Sequence, residues 1–193
     1  MDQYIGRLLD DRYEILEIIG TGGMAVVYKA RDHRLNRLVA VKILKDEFAR
    51  DEEFRRRFRA EGEAVAMLSH PNIVQVIDFT HDTAYAYLVM EYVDGMSLAE
   101  FLHRVDGHSL TFDEAAAIAD ALGQALTFAH SNGVLHLDIK PANVLIDPSV
   151  NVKLTDFGMA RLSSAGGFGG SRGGTIGYMP PEQLDIETGT AGS

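Results

Sequence analysis

The chain has 193 residues, 46% of them hydrophobic and 24% charged, which suits one globular domain or two small lobes sharing a cleft. A formal net charge of -10 argues against a nucleic-acid surface, which needs clustered Lys and Arg, and the absence of cysteine excludes disulfides, thiolate metal sites and a cysteine nucleophile, in keeping with a cytoplasmic location. Met1-Asp2-Gln3 is not a secretory leader, no apolar stretch is long enough to span a bilayer, and the seven histidines show no zinc-like spacing.

Tyr13–Ile19 is apolar and β-branched and ends at the glycine cluster Gly20-Thr21-Gly22-Gly23. A second apolar run, Ala25–Ala30, follows at once, so the pair reads as a hairpin with a glycine tip. Leu38–Leu44 is a third strand with Lys42 inside it. From Glu47 to Leu68 the period turns helical, with Phe54, Phe58, Val65 and Leu68 on one side and Gly62 as a weak point. The basic run Arg55-Arg56-Arg57, flanked by Asp51, Glu52, Glu53 and Glu61, reads as a solvated helix face. His70-Pro71-Asn72 breaks the chain, and Ile73–Ile77 and residues 84–90 supply two further strands.

Beyond Asp94-Gly95 the signals are mainly helical. Ser97–Glu100 and Thr111–Glu114 each fit a capping box, and the second opens an alanine-rich helix that stops near Asn132-Gly133. Short strands Asn143–Ile146 and Val152–Leu154 flank Pro148, and residues 163–177, dense in Gly and Ser, read as a loop. The expected architecture is α+β and two-lobed: a five-stranded antiparallel sheet with one long helix, then a mainly helical part.

The glycine cluster admits two readings. Because a strand rather than a helix follows, the glycines can lie over phosphates with bare backbone amides, or they can form a plain hairpin turn; no Walker Lys-Ser/Thr follows. Lys42 is either a solvated side chain or a cation for phosphate oxygens held by a helix carboxylate. Glu61 is the candidate carboxylate, against its other reading as a surface group beside Arg57. The set His136-Leu137-Asp138-Ile139-Lys140-Pro141-Ala142-Asn143, followed by Asp156-Phe157-Gly158, tips these choices. A carboxylate (Asp138) can take a proton from an attacking hydroxyl, and a lysine (Lys140) can offset charge on a phosphoryl group. An amide oxygen and a carboxylate (Asn143, Asp156) can hold magnesium.

The chain resembles the Ser/Thr protein kinases, most closely those of bacterial type. The matches are Ile19-Gly20-x-Gly22-x-x-Ala25-x-Val27, Val39-Ala40-Val41-Lys42, Glu61, His70-Pro71-Asn72-Ile73-Val74 and Met90-Glu91-Tyr92-Val93. They continue through His136-x-Asp138-x-Lys140-Pro141-x-Asn143, Asp156-Phe157-Gly158 and Gly174-Thr175-x-x-Tyr178-Met179-x-Pro181-Glu182. The resemblance implies ATP and Mg2+ as cofactors and Ser or Thr hydroxyls of proteins as acceptors. It implies a nucleotide-binding lobe over residues 1–93 and a partial catalytic lobe over residues 94–193.

Residue by residue, it implies that Gly20, Thr21, Gly22, Gly23 and Ala25 cover the ATP phosphates, while Lys42 contacts them and pairs with Glu61. Ile19, Val27, Ala40 and Leu145 would sandwich the adenine, the backbone of Glu91 and Val93 would bind its edge, and Met90 would guard the pocket behind. Asp138 would be the catalytic base, Lys140 the phosphate-stabilising cation, and Asn143 and Asp156 the magnesium ligands. Lys140 and Thr175 are what Ser/Thr-specific members carry, and Val65, Val76, His136 and Phe157 match the apolar stack that joins the lobes.

Four departures qualify the match. Ala25 stands in place of the third glycine, and Pro180 in place of an alanine. Leu137 replaces the arginine that in the family binds a phosphorylated activation loop, so control through that contact should be absent. The sequence also ends at Ser193, before the family's later helices, so the expectation is a piece of a longer kinase, its larger lobe completed by a missing C-terminal region or a partner. The competing reading is a catalytically weak or inactive kinase-like module that binds nucleotide or a partner.

Overall fold

In the first half of the chain, runs that carry β-branched and aromatic residues pair as sheet. In the computed structural model, residues 2–80, 86–104, 109–157 and Tyr178 are described. Strands β1 (Leu8–Leu9), β2 (Tyr13–Thr21), β3 (Ala25–Asp32) and β4 (Arg37–Leu44) run antiparallel, neighbour to neighbour. Strands β5 (Val76–Phe79) and β6 (Tyr87–Glu91) complete a six-stranded sheet in the order β1-β2-β3-β4-β6-β5. The expected count of five is thus exceeded by one. The two-residue β1, paired as Leu8↔Glu14 and Leu9↔Tyr13, is too short to carry an alternating pattern.

The single helix expected over Glu47–Leu68 is two. The Asp51 carboxylate accepts the Phe54 N–H at 3.1 Å, ending α1 (Asp46–Ala49) and capping α2 (Glu52–Ala66). Helix α2 buries Phe54, Phe58, Gly62 and Val65, and its basic run is tied along the helix by the pairs Arg57–Glu53 and Arg59–Glu63. The strand expected over Ile73–Ile77 starts later, at Val76. Ile73 instead forms a parallel bridge with Leu154, and the Val74 N–H donates to the Leu154 carbonyl at 2.9 Å.

The second half forms a three-stranded antiparallel sheet of β7 (Met96–Ser97), β8 (Val144–Ile146) and β9 (Val152–Leu154). Helices α3 (Leu98–Arg104) and α4 (Phe112–Ser131) and a 3-10 turn over Pro141–Asn143 belong to the same half. Both capping boxes close as the sequence indicates. Ser97 and Glu100 exchange bonds of 2.8 and 3.2 Å, Thr111 and Glu114 bonds of 2.8 and 3.3 Å. The largest core cluster crosses between the halves: Val65, Leu68 and Met90 pack with Ile118, Val144, Leu154 and Phe157. This shared core sets the two sheets on either side of a cleft.

Candidate active site

The glycine hairpin lies between β2 and β3. Gly20 pairs with Val27 and Thr21 with Val26, and the Gly22 N–H closes the turn on the Ala25 carbonyl at 2.9 Å. Ala25, where a glycine was anticipated, is buried and opposite Leu44 in register, so its methyl packs rather than intrudes. Val27 pairs with Lys42 on β4, and Lys42 with Leu88 on β6. Lys42 is only 7% exposed, so it is not the solvated side chain that a lone strand lysine usually is. Ile19 is 46% exposed at the end of β2, while Ala40 and Met90, paired on neighbouring strands, are buried.

Lys42 makes an ion pair with Asp156, at 2.6 Å. The resemblance implied Glu61 as its partner. Glu61, half-buried on α2, lines the same small cavity of about 30 Å3 as Lys42, Asp156, Phe157 and Met90. Burial pushes the Asp156 carboxyl up, but the Lys42 ammonium outweighs it and the group lies below the ordinary carboxylate value. Asp156 is held at φ 65°, in the left-handed region that Asp tolerates better than most residues.

Asp138, Lys140 and Asn143 come together in the segment before β8. The Lys140 ammonium stands 3.0 Å from the Asp138 carboxylate. The Asn143 amide donates to the Asp138 carbonyl at 2.8 Å and to its carboxylate at 3.1 Å. Both partners are acceptors, so both bonds are made by the Asn143 side-chain NH2. Asn143 is 5% exposed, and its backbone carbonyl accepts the Thr155 N–H at 3.0 Å, which ties this segment to the one carrying Asp156. Among the described residues, no group of three or more His, Asp or Glu side chains gathers as a metal cage. In donor chemistry, an amide oxygen and a carboxylate, as Asn143 and Asp156 carry, suit magnesium, which prefers oxygen ligands and keeps several waters.

His136 locks these two segments together. Its Nε2 donates to the Thr155 carbonyl at 2.7 Å, and its Nδ1 accepts the Asp138 N–H at 3.2 Å. Its ring packs on Phe157 with centroids 4.6 Å apart. Burial holds its pKa below the ordinary histidine value, so the ring is the neutral Nε2–H form that this bonding demands. Leu137 takes φ 67° between His136 and Asp138, and Val65, Val76 and Phe157 lie in one core cluster.

Glu91 and Val93 leave β6 half-buried, and Leu145 on β8 packs against the shared core. Thr175, Gly158 and the segment through Glu182, apart from Tyr178, lie outside the described residues. Sequence reasoning passed over Lys153, whose one signal is a lysine between the buried Val152 and Leu154. It also passed over Gln75.

Comparison with known proteins bears on this arrangement. A model described as "Protein kinase domain" matches residues 13–192. A probable serine/threonine-protein kinase of Clostridium perfringens is 45% identical over 181 residues, covering 93% of this chain and 26% of that protein. Serine/threonine-protein kinase PrkC of Bacillus subtilis is 44% identical over 181 residues, covering 93% of this chain and 28% of PrkC. The chain thus spans between a quarter and a third of the length of such relatives. The solved kinase domain of PknI from Mycobacterium tuberculosis superimposes with a TM-score of 0.73 at 34% identity, covering 83% of this chain and 64% of that one.

Proposed function

Because this chain belongs to the protein kinase family, we propose that it transfers the γ-phosphate of ATP to Ser or Thr hydroxyls of proteins. The observation that carries the reading is a pair of polar contacts: Asp138–Lys140–Asn143 in the segment before β8, and Lys42–Asp156, which joins the large sheet to the segment after β9. We assign residues 1–93 to the nucleotide-binding lobe and residues 94–193 to the catalytic one. ATP is the phosphoryl donor, and magnesium, when bound, would offset the negative charge of its phosphates.

The protein's own groups do the rest by positioning and electrostatics. The Gly20–Gly23 turn with Ala25 covers the phosphates, and Lys42, paired with Glu61, contacts them. Ile19, Val27, Ala40 and Leu145 enclose the adenine, with Met90 behind it and the Glu91 and Val93 backbone at its edge. Asp138, oriented by Asn143, takes the proton of the acceptor hydroxyl, and Lys140 offsets the charge that develops beside it. Asn143 and Asp156 would hold the magnesium, and Thr175 belongs to the segment that would meet the substrate. A requirement for ATP is what supports a cytoplasmic site for this reaction.

The test is transfer of labelled γ-phosphate from ATP with magnesium, to the protein itself and to a generic basic protein, in parallel with Asp156→Asn. Transfer is expected from the unaltered protein and lost from the variant. Equal transfer by both would overturn the assignment of Asp156. Nucleotide binding with no transfer by either would favour the second reading, a kinase-like binding module, to which Leu137 in the place of an arginine also points.

A further inference from the structure

One charged contact crosses the cleft outside the chemistry described above. Glu91, at the end of β6, presents its carboxylate to Lys153 on β9, with Nζ 2.9 Å from Oε1 and 3.1 Å from Oε2. The Lys153 side chain is 20% exposed and that of Glu91 33%, so the pair is partly withdrawn from solvent and from screening by salt. The backbone of Glu91 is gripped as well. Its N–H donates to the Gln75 carbonyl at 2.9 Å, and the Gln75 N–H reaches back to its carboxylate at 3.3 Å. Gln75 is itself anchored through its amide, which donates to the carbonyls of Ala66, at the end of α2, and Val76.

What Lys153 is paired with on its other side gives this contact meaning. In the register of β8 and β9, Lys153 lies directly opposite Leu145, so the two side chains share one face of the small sheet. Leu145 is the floor of the adenine slot in the reading above, and the Glu91 backbone is part of its edge. A single side chain therefore links the strand pair that carries the floor to the residue that carries the edge.

We propose that Lys153 is a positioning residue for the purine end of the nucleotide. Through Glu91 it fixes the gap between Leu145 and the backbone of residues 91–93, and thereby aims the Glu91 carbonyl. The proposal rests on the nucleotide-binding reading. It touches neither phosphates nor metal, so it predicts a loss confined to the nucleoside part of binding.

The experiment is calorimetric titration of the intact protein with adenosine, which is uncharged, and with magnesium ATP, alongside phosphotransfer kinetics. Lys153→Met is expected to weaken adenosine and magnesium ATP by the same factor, roughly three- to tenfold. KM for ATP should rise to match, with kcat held within about twofold. Lys153→Arg, which keeps the charge, should restore all three quantities. Glu91→Gln, which keeps the side-chain shape and drops the charge, should reproduce the loss and guards against a fold defect peculiar to the first variant. Adenosine binding unchanged in both Lys153→Met and Glu91→Gln overturns the proposal, as does a fall in kcat at constant KM. If the unaltered protein binds neither adenosine nor magnesium ATP, the nucleotide-binding reading itself falls, and the proposal with it.

Discussion

His136 shows how much one buried side chain can settle. It is 2% exposed, and its two ring nitrogens are committed in opposite senses, one donating to Thr155 and one accepting from Asp138. A second ring proton would meet the Asp138 N–H head-on, and burial opposes the charge further, so the folded pKa lies below the ordinary 6.5. In the unfolded chain the ring titrates near that ordinary value. Just below pH 6.5 the unfolded state therefore binds more protons than the folded one, and stability is lost as pH falls through this window. The expected contribution is a slope of up to about 1.4 kcal/mol per pH unit. Denaturant unfolding at stepped pH checks it by difference: the profiles of wild type and His136→Gln should run parallel above 6.5 and converge below. Parallel profiles throughout would mean that His136 titrates normally. Asp138, Lys140, Asn143 and Asp156 can be singled out from residue type and spacing, because their chemistry is complementary in order along the chain. The Lys42–Asp156 contact cannot, because it joins residues far apart in sequence and depends on which groups meet one ammonium in the folded chain.

At the scale of elements, the sequence was most readable where a local bond closes an element and least where a tertiary contact does. Both capping boxes were legible because their partners are three residues apart. Asp51 falls inside the helix that the periodicity from Glu47 to Leu68 predicts, and that periodicity hides its role as a cap. Ile73 and Val74 left their expected strand because Leu154, distant in sequence, offers them backbone partners. Glycines divide in the same way. Gly123 lies exposed inside α4 with nothing within 4 Å of where a Cβ would stand, so the helix only loses by it. Gly95 precedes β7, and a Cβ there would lie 2.1 Å from the Ile146 carbonyl oxygen and 2.8 Å from its carbon. Backbone atoms cannot rotate away as a side chain can, so the pairing of Met96 with Ile146 would have to open. Thermal and denaturant unfolding should separate the two. Gly123→Ala is expected to stabilise by about 1 kcal/mol. Gly95→Ala should destabilise by about 1–3 kcal/mol through overpacking. A stable Gly95→Ala protein would show that the β7–β8 junction yields more easily than its close contact implies.

The molecule as a whole is built so that its two sheets cannot separate cheaply. Val65, Leu68 and Met90, from the half with the large sheet, share one core with Ile118, Val144, Leu154 and Phe157, from the half with the small one. Opening the cleft therefore exposes apolar surface of both halves, at about 25 cal/mol per Å2. The lysine and carboxylate at the cleft add a second coupling, since Lys42 comes from the large sheet and Asp156 follows the small one. A nucleotide held between Lys42, Asn143 and Asp156 engages both sides, so its binding energy should appear in a single cooperative unfolding transition rather than in one half. Calorimetric scans with ADP, with and without magnesium, make this measurable. At a ligand concentration 100 times the dissociation constant, stabilisation should reach about 2.7 kcal/mol. With magnesium one transition should move upward intact, and chelating the metal should reduce the shift. In Asp156→Asn the shifts with and without magnesium should become nearly equal, because an amide in that position gives up the charge that holds the ion. Two resolved transitions, of which ADP moves only one, would mean that the shared core does not bind the halves into one folding unit. A magnesium dependence that survives in Asp156→Asn would place the cation on other oxygens.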